Sequence, residues 1–528
     1  MLIIKSQRKR ALGLNEPLKH GSHKRPVTRR DFLAQGFSAG AATVVAPSLL
    51  MPRRGAAAEV DPALTAELGA CGITGLGGGK IPFICFDLAG GANIAGSNVL
   101  VGQRGGQLDF LSTQGYSKLG LPGNMLPNNA QTNFINTDFG LAFHQDSAFL
   151  RGMLEKTSEA TRACVNGAVI AARSENDTGN NPHNPMYGLA RYGVKGKLLT
   201  LIGSQNSDSG GNSMAPARLI DPQYRPTKID RVSDVTGLVD TGDVAKILSA
   251  DDTVRTLESM YRLSKSKLDR VYTLLNDNVD VNGLIMTRDA AIKRQLNCAY
   301  LKTAYTVANF SDPAALNPAA DTRITTLFGG ANFSNDREFE KTASVMKLVI
   351  DGNAGAGTIS MGGFDYHTGE RATGEERDLR AGRCIGACLE YAASLQVPVP
   401  LMIYVFSDGS LSSNGRVDDS AGGRGKGEWT GDNQQTAASF FLVYNPGGRP
   451  ALLDAANPAA AALHQQIGWY SAGGDVVTSS SPAANNVNLL VETVLLNYMA
   501  LHGDEGLYTG PLGNPAGLRG LIAFEPIL

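Results

Sequence analysis

Short, almost continuously apolar segments alternate with amphipathic segments along this chain, and this alternation limits its fold more than any other feature. The apolar segments have the length of strands and end in turn residues, at 81–88, 168–173, 198–203, 400–406 and 439–444. Strands without a polar face are typical of parallel sheets that helices cover on both sides. We therefore predict an α/β fold with a doubly wound, mostly parallel sheet flanked by helices.

The segments between these strands predict helices and one insertion. Helical spacing of apolar residues is seen at 148–162, 337–351, 375–394 and 488–502. Residues 241–308 are strongly helical in pattern, with Leu, Met, Tyr and Val spaced for amphipathic helices. We predict a helical insertion or cap over 241–335, which divides the α/β domain into a first part at 59–240 and a second part at 336–528.

The N-terminal segment has the pattern of an export signal. Residues 28–33 read T-R-R-D-F-L, after a basic stretch and before a mild apolar run over 32–51. The small residues 55–58 predict cleavage before Glu59. We therefore predict a twin-arginine signal peptide at 1–58, the Tat translocase as partner during export, and a periplasmic or extracellular location. Arg53 and Arg54 leave open its retention as a membrane anchor.

Charge and motifs exclude several classes of function. Residues 59–528 contain 37 Lys/Arg and 47 Asp/Glu, so the mature chain is acidic and is not predicted to bind nucleic acid. Six cysteines are too few for a disulfide-built scaffold. The sequence has no phosphate-binding loop or dinucleotide fingerprint, so no nucleotide cofactor is predicted.

Candidate metal ligands follow the strongest predicted strands. The stretch I-S-M-G-G-F-D-Y-H at 359–367 places Asp365 and His367 just beyond a strand, and Asp408 follows the strand at 400–406. Because the carboxyl ends of parallel strands share one edge, these side chains are expected to converge. His183, within N-N-P-H-N-P, is the best companion. Carboxylates and imidazole suit zinc, manganese or calcium, although each motif taken singly is more typical of a polar turn than of a metal site.

Substrate-binding candidates lie in the same predicted loops. Asn93 follows the first strand, Ser407 ends a later one, and Ser209 and Asn212 belong to the loop S-Q-N-S-D-S-G-G-N-S at 204–213. Their hydroxyl and amide groups could bind a polar ligand, or the loop at 204–213 could simply be solvated. No catalytic nucleophile is identified, so the catalytic residues are unknown at this level.

Together these motifs resemble one family. The twin-arginine signal, the strand-end L-A-G-G-A-N, G-G-F-D-Y-H and F-S-D-G-S are similar to the exported bacterial domain-of-unknown-function family 1501, which is related to the alkaline phosphatase–sulfatase superfamily. The resemblance extends from about Pro82 to Gly448. It implies an alkaline phosphatase-like α/β sheet and hydrolysis of phosphate or sulfate esters with metals held by Asp and His.

The resemblance is carried by Asp365, His367 and Asp408, with His183 near a Ser-His loop of the family. Asn93 stands where the family usually has Asp. The chain also departs from the family pattern, since only G-D-N at 431–433 corresponds to its later Asp-His-Gly.

Two functions remain open from the sequence, and whether the chain is an enzyme is not decided. One is a metal-dependent phosphate- or sulfate-ester hydrolase with an altered site, acting on a phosphorylated or sulfated small molecule. The other is a non-catalytic envelope binding or assembly protein on the same scaffold, with a glycan or an envelope protein as partner. A membrane is a partner only if the signal is retained.

Overall fold

A computed structural model describes the parts of the chain on which the fold is based. They are residues 60–64, 67–68, 71, 79–127, 133–175, 181–239, 248–281, 284–310, 313–330, 332–514 and 517–528. The predicted signal peptide, 1–58, lies outside the described residues. The described residues fall into two compact units, one within 1–72 and 241–311 and the other within 73–240 and 312–528.

The larger unit contains an eight-stranded, mostly parallel central sheet, so the chain has an α/β fold. In chain order the strands of the protein are β1 Phe83–Leu88, β2 Ile135–Asn136, β3 Phe143–His144, β4 Val165–Ile170, β5 Leu199–Gly203, β6 Thr227–Lys228, β7 Asn278–Val281, β8 Leu284–Thr287, β9 Ala354–Met361, β10 Leu401–Ser407, β11 Leu411–Asp418, β12 Lys426–Asp432, β13 Ser439–Tyr444 and β14 Gln466–Ile467. The order across the central sheet is β14-β4-β13-β10-β1-β9-β5-β6. Only β13 runs antiparallel to its neighbours in this sheet.

Twelve α-helices lie within the described residues. They are α1 Thr113–Lys118, α2 Ala148–Lys156, α3 Glu159–Ala163, α4 Met186–Arg191, α5 Val232–Gly237, α6 Ala250–Leu268, α7 Arg288–Asn309, α8 Thr322–Leu327, α9 Arg337–Ile350, α10 Arg371–Ser394, α11 Pro458–Gln465 and α12 Val487–Ala500. Among the residues that the structure describes, no helix has both the length and the apolar character needed to cross a bilayer.

Helices pack on both faces of the sheet. On one face, side chains such as Phe83 and Tyr404 form a continuous core with α4 and α12. On the other face, Gly357 of β9 lies so close to α9 that an added Cβ would be 2.5 Å from Val345. Burial on both faces explains why β1, β9, β10 and β13 are buried along their whole length. This arrangement is compatible with a doubly wound sheet.

The smaller unit is built on the helices α6 and α7. Val254 and Leu257 of α6 form a small core with Ala304 and Val307 of α7. A disulfide joins Cys71 to Cys298 of α7. The antiparallel pair β7–β8 follows α6 and precedes α7 along the chain, within the segment 241–308 for which the sequence predicts helices.

Candidate metal centre

Three loops meet at the carboxyl edge of the central sheet because their strands are neighbours. Strand β1 pairs in parallel with both β9 and β10, and its last residue, Leu88, lies opposite Met361 on one side and Ser407 on the other. The segments that follow these three strands therefore begin side by side. This is the edge at which ligands bind in open α/β sheets.

The backbone of the first loop fits tightly between the other two. Gly90 has a φ of +107°, and an added Cβ would lie 3.0 Å from Asp365. The Gly90 N–H also donates to Asp408 Oδ1 at 2.8 Å. Only glycine adopts this φ at low cost, so Gly90 allows the loops after β9 and β10 to approach the end of β1.

An Asp-His-Asp group stands at this edge. His367 Nδ1 lies 2.5 Å from Asp365 Oδ1 and 3.4 Å from Asp432 Oδ1. One ligand atom from each of the three residues lies within 4.8 Å of the others. The carboxylates of Asp365 and Asp432 are 55% and 51% exposed, so the group is open to solvent.

Asp432 reaches the group because of a hairpin formed by β11 and β12. Strand β11 begins just after the end of β10, and its first residue, Leu411, pairs with Asp432 at the end of β12. The Gly369 N–H donates to the Trp429 carbonyl at 2.7 Å, which fastens β12 to the segment that follows His367. The hairpin thus returns the chain to the sheet edge with Asp432 beside His367.

The donor set and spacing fit a divalent cation. Two carboxylates and one imidazole are hard oxygen and borderline nitrogen donors, which suit zinc or manganese. Ligand atoms about 2.1 Å from a tetrahedral cation are about 3.4 Å apart. The distance between His367 Nδ1 and Asp432 Oδ1 matches this value. The distance between His367 Nδ1 and Asp365 Oδ1 is that of a hydrogen bond, and it would widen when a cation binds.

The predicted ligand Asp408 lies outside this group. Its side chain is fully buried, and its Oδ2 accepts a hydrogen bond from Asn212 Nδ2 at 2.9 Å, in addition to the Gly90 contact at Oδ1. These bonds tie the loop after β10 to the loop after β1 and to the loop at 204–213. The sequence predicted convergence of Asp365, His367 and Asp408; the structure joins the first two and gives Asp408 different partners.

Asp87, near the end of β1, is a second buried carboxylate at this edge. Its Oδ2 accepts from the backbone N–H groups of Asn212 and Ser213, both at 2.7 Å. Burial, and secondly the negative charge of Asp408, raise the pKa of Asp87 to about 7. Asn212 therefore links two buried carboxylates through its backbone and its side chain.

His183 is also separate from the exposed group. Its ring is fully buried and stacks on Phe406, with centroids 5.6 Å apart. Neither ring nitrogen has a hydrogen-bond partner among the described residues. Burial lowers the pKa of His183 to about 3, so the imidazole is neutral at physiological pH.

The four predicted substrate-binding side chains make internal hydrogen bonds. Ser407 Oγ donates to the Leu88 carbonyl at 2.6 Å, and Ser209 Oγ donates to the Ser213 carbonyl at 2.5 Å. Asn93 Nδ2 donates to Ser97 Oγ at 2.6 Å. Asn212 binds Asp408, as described above. All four hold loops in place at the sheet edge.

Asp432 is the member of the group that the sequence does not predict as a ligand. The signal was present, since G-D-N at 431–433 was the only counterpart of the family's later Asp-His-Gly. Its position could not be predicted because it depends on the register of β11 and β12, which lie in a polar, glycine-rich segment.

Comparisons with known proteins give no relative: no family model matches the chain, and no curated protein or solved structure is significantly similar to it.

Proposed function

We propose that this protein binds one divalent cation through Asp365, His367 and Asp432 and hydrolyses phosphate or sulfate esters at that site, on an alkaline phosphatase-like scaffold. The observation that supports the proposal is the solvent-exposed group of three ligand atoms within 4.8 Å at the carboxyl edge of the sheet. The motif resemblance supports the reaction class.

Each residue of the group has a distinct part in this proposal. The carboxylates of Asp365 and Asp432 supply negatively charged oxygen ligands, and the imidazole of His367 supplies the nitrogen ligand. When bound, a divalent cation polarises an ester oxygen and lowers the pKa of water. The exposure of both carboxylates leaves one side of the site open to a substrate.

Hydrolysis of aryl phosphates and aryl sulfates with added zinc or manganese tests this function. The wild-type protein is expected to release product in a metal-dependent way, and Asp432→Asn is expected to abolish it. Asp419→Asn is the matched control, because Asp419 is exposed and lies in the same hairpin but outside the group. Turnover that is equal in Asp432→Asn and the control would refute the proposal.

A non-catalytic binding or assembly protein of the envelope is the second candidate. The internal hydrogen bonds of Asn93, Ser407, Ser209 and Asn212 favour it, because they leave the predicted substrate-binding side chains engaged within the protein. In that case the cation would stabilise the loops, and the protein would bind metal without hydrolysing either class of ester.

Export through the twin-arginine pathway is part of the proposal. The disulfide between Cys71 and Cys298 supports it, since disulfides persist in oxidising compartments such as the periplasm. Replacing both Arg29 and Arg30 by Lys is expected to leave the protein inside the cell. Periplasmic recovery of that variant at the wild-type level would contradict this route.

A further inference from the structure

The smaller unit exposes a concentration of large apolar side chains. Leu274 is 77% exposed and Ile285 is 71% exposed, values normally found for charged residues. We define the tip surface as these two residues and three neighbours along the chain, namely Val271, Tyr272 and Leu275, all of them exposed. Contiguous exposed apolar residues mark surfaces that bind another body.

These residues lie at one end of the helix pair. The segment 269–277 follows the end of α6 directly, and it also forms hydrogen bonds with the start of α7. The Arg288 N–H donates to the Asp277 carbonyl at 2.9 Å, and Thr273 Oγ1 donates to Asp289 Oδ1 at 2.7 Å. Ile285 belongs to β8, which leads into α7. The tip surface therefore lies at the end of the helix pair where α6 ends and α7 begins.

The tip surface has a basic border. Residues 262–302 contain eight Lys/Arg and four Asp/Glu, whereas the rest of the chain after residue 58 contains 29 Lys/Arg and 43 Asp/Glu. Lys267 and Arg270 are exposed, and neither forms an ion pair with any residue that the structure describes. Exposed Leu, Ile and Tyr beside unpaired basic residues are typical of proteins that bind at an anionic lipid surface.

The chain also approaches this unit from the predicted signal. Asp61 accepts a hydrogen bond from Arg262 at 2.5 Å, and Glu67 forms an ion pair with Lys265 at 2.6 Å. Both acidic residues lie within ten residues of the predicted cleavage position before Glu59. A signal segment that enters the bilayer would therefore bring α6 close to the membrane.

From these observations we propose that the tip surface inserts its apolar residues into the surface of an anionic phospholipid bilayer, with Lys267 and Arg270 bound to the headgroups. Burial of Leu274 and Ile285 in the acyl boundary supplies the apolar part of the binding free energy. The lipid phosphates supply the electrostatic part, so binding weakens at high salt.

Vesicle flotation of the chain that begins at Glu59 tests this proposal, because that chain keeps every residue the structure describes and lacks the apolar run at 32–51. The expected result is flotation with vesicles that contain phosphatidylglycerol and little flotation with phosphatidylcholine alone. Leu274→Ser with Ile285→Ser should reduce the partition coefficient about tenfold. Lys267→Glu with Arg270→Glu should reduce it similarly.

Val397→Ser is the matched control, since Val397 is 78% exposed and belongs to the larger unit. It should leave flotation unchanged. Absence of wild-type flotation, or equal flotation of wild type and the Leu274 and Ile285 variant, would overturn the proposal. A wild-type dimer that the same variant converts to monomer, without vesicle binding, would also overturn it and assign the tip surface to a second copy of the chain.

Discussion

Asp408 and Asp432 are carboxylates at the same sheet edge with opposite surroundings. Asp408 is buried and hydrogen-bonded, whereas Asp432 is half exposed beside His367. Asp408→Asn places an amide N–H₂ group against donors and should lower the free energy of unfolding by about 2 kcal/mol without changing cation affinity. Asp432→Asn should weaken cation affinity about tenfold or more without a comparable loss of stability. Calorimetric metal titration and urea unfolding measure the two effects.

Asp378 provides a residue-scale prediction on pH. Burial raises the pKa of Asp378 to about 7, with the charge of Glu375 adding to the rise, although Tyr366 and Asn98 donate hydrogen bonds to the carboxylate and Arg371 lies nearby. The folded pKa is above the unfolded one, so the folded state holds the proton more tightly. The stabilisation is present at acidic pH and is lost as the pH rises through 7.

Relative to Asp378→Asn, the wild-type protein should therefore lose on the order of 4 kcal/mol of unfolding free energy between pH 4 and pH 8. Urea unfolding of both proteins across this range measures the difference. If the difference in unfolding free energy between the two proteins does not vary between pH 4 and pH 8, Asp378 is ionised over that whole range.

Gly90→Ala tests how closely the loops must approach at the sheet edge. It combines an unfavourable φ with a contact to Asp365, so it should lower stability and weaken cation binding. Gly193→Ala is the control, because its φ of +100° is similar and no atom lies within 4 Å of an added Cβ. Equal losses of cation affinity in both variants would show that the contact with Asp365 is unimportant.

At the scale of elements, a buried ionic cluster holds the β11–β12 hairpin against α10. Glu375 Oε1 accepts from Arg371 Nη2 at 2.6 Å and from Lys426 Nζ at 2.8 Å, and the Arg371 guanidinium stacks on the Trp429 ring. Lys426 and Trp429 belong to β12, the strand that ends at Asp432. The cluster therefore fixes the strand that positions the third ligand.

Glu375→Gln should lower the free energy of unfolding by about 3 kcal/mol, because it removes the charged partner of buried Arg371 and leaves buried Lys426 paired with Asp146 alone. Glu376→Gln is the control, since Glu376 is the next residue on α10 and is 70% exposed. Urea unfolding measures both variants, and equal stability of the two would contradict this role for the cluster.

The elements differ in how far the sequence predicts them. Strands β1, β5, β10 and β13 were predictable because burial on both faces leaves a continuous apolar pattern. The β11–β12 hairpin was not, since its residues alternate little in polarity. The β7–β8 pair was not, since it consists of two four-residue strands within a segment of helical pattern. Asp365 and His367 could be placed together because they lie two residues apart after one strand, whereas the position of Asp432 depends on the pairing of β11 with β12.

At the scale of the whole molecule, the disulfide joins two cysteines of the smaller unit, Cys71 and Cys298, that are 227 residues apart in the sequence. Cys71→Ser with Cys298→Ser should lower the stability of that unit by about 3 kcal/mol, because the unfolded chain gains freedom. Limited proteolysis should then cleave α6 and α7 faster. Cys164→Ser is the control, since Cys164 is a free thiol, and equal cleavage rates would contradict the prediction.

Elemental analysis of the purified, folded protein, with the Asp365→Ala/His367→Ala variant beside it, tests whether Asp365, His367 and Asp432 bind a cation. We expect one zinc, manganese or calcium ion per wild-type chain and none in the double variant, with both proteins folded as judged by circular dichroism. A folded wild-type protein without stoichiometric metal after dialysis against these cations, or a double variant that retains it, would contradict cation binding by this group.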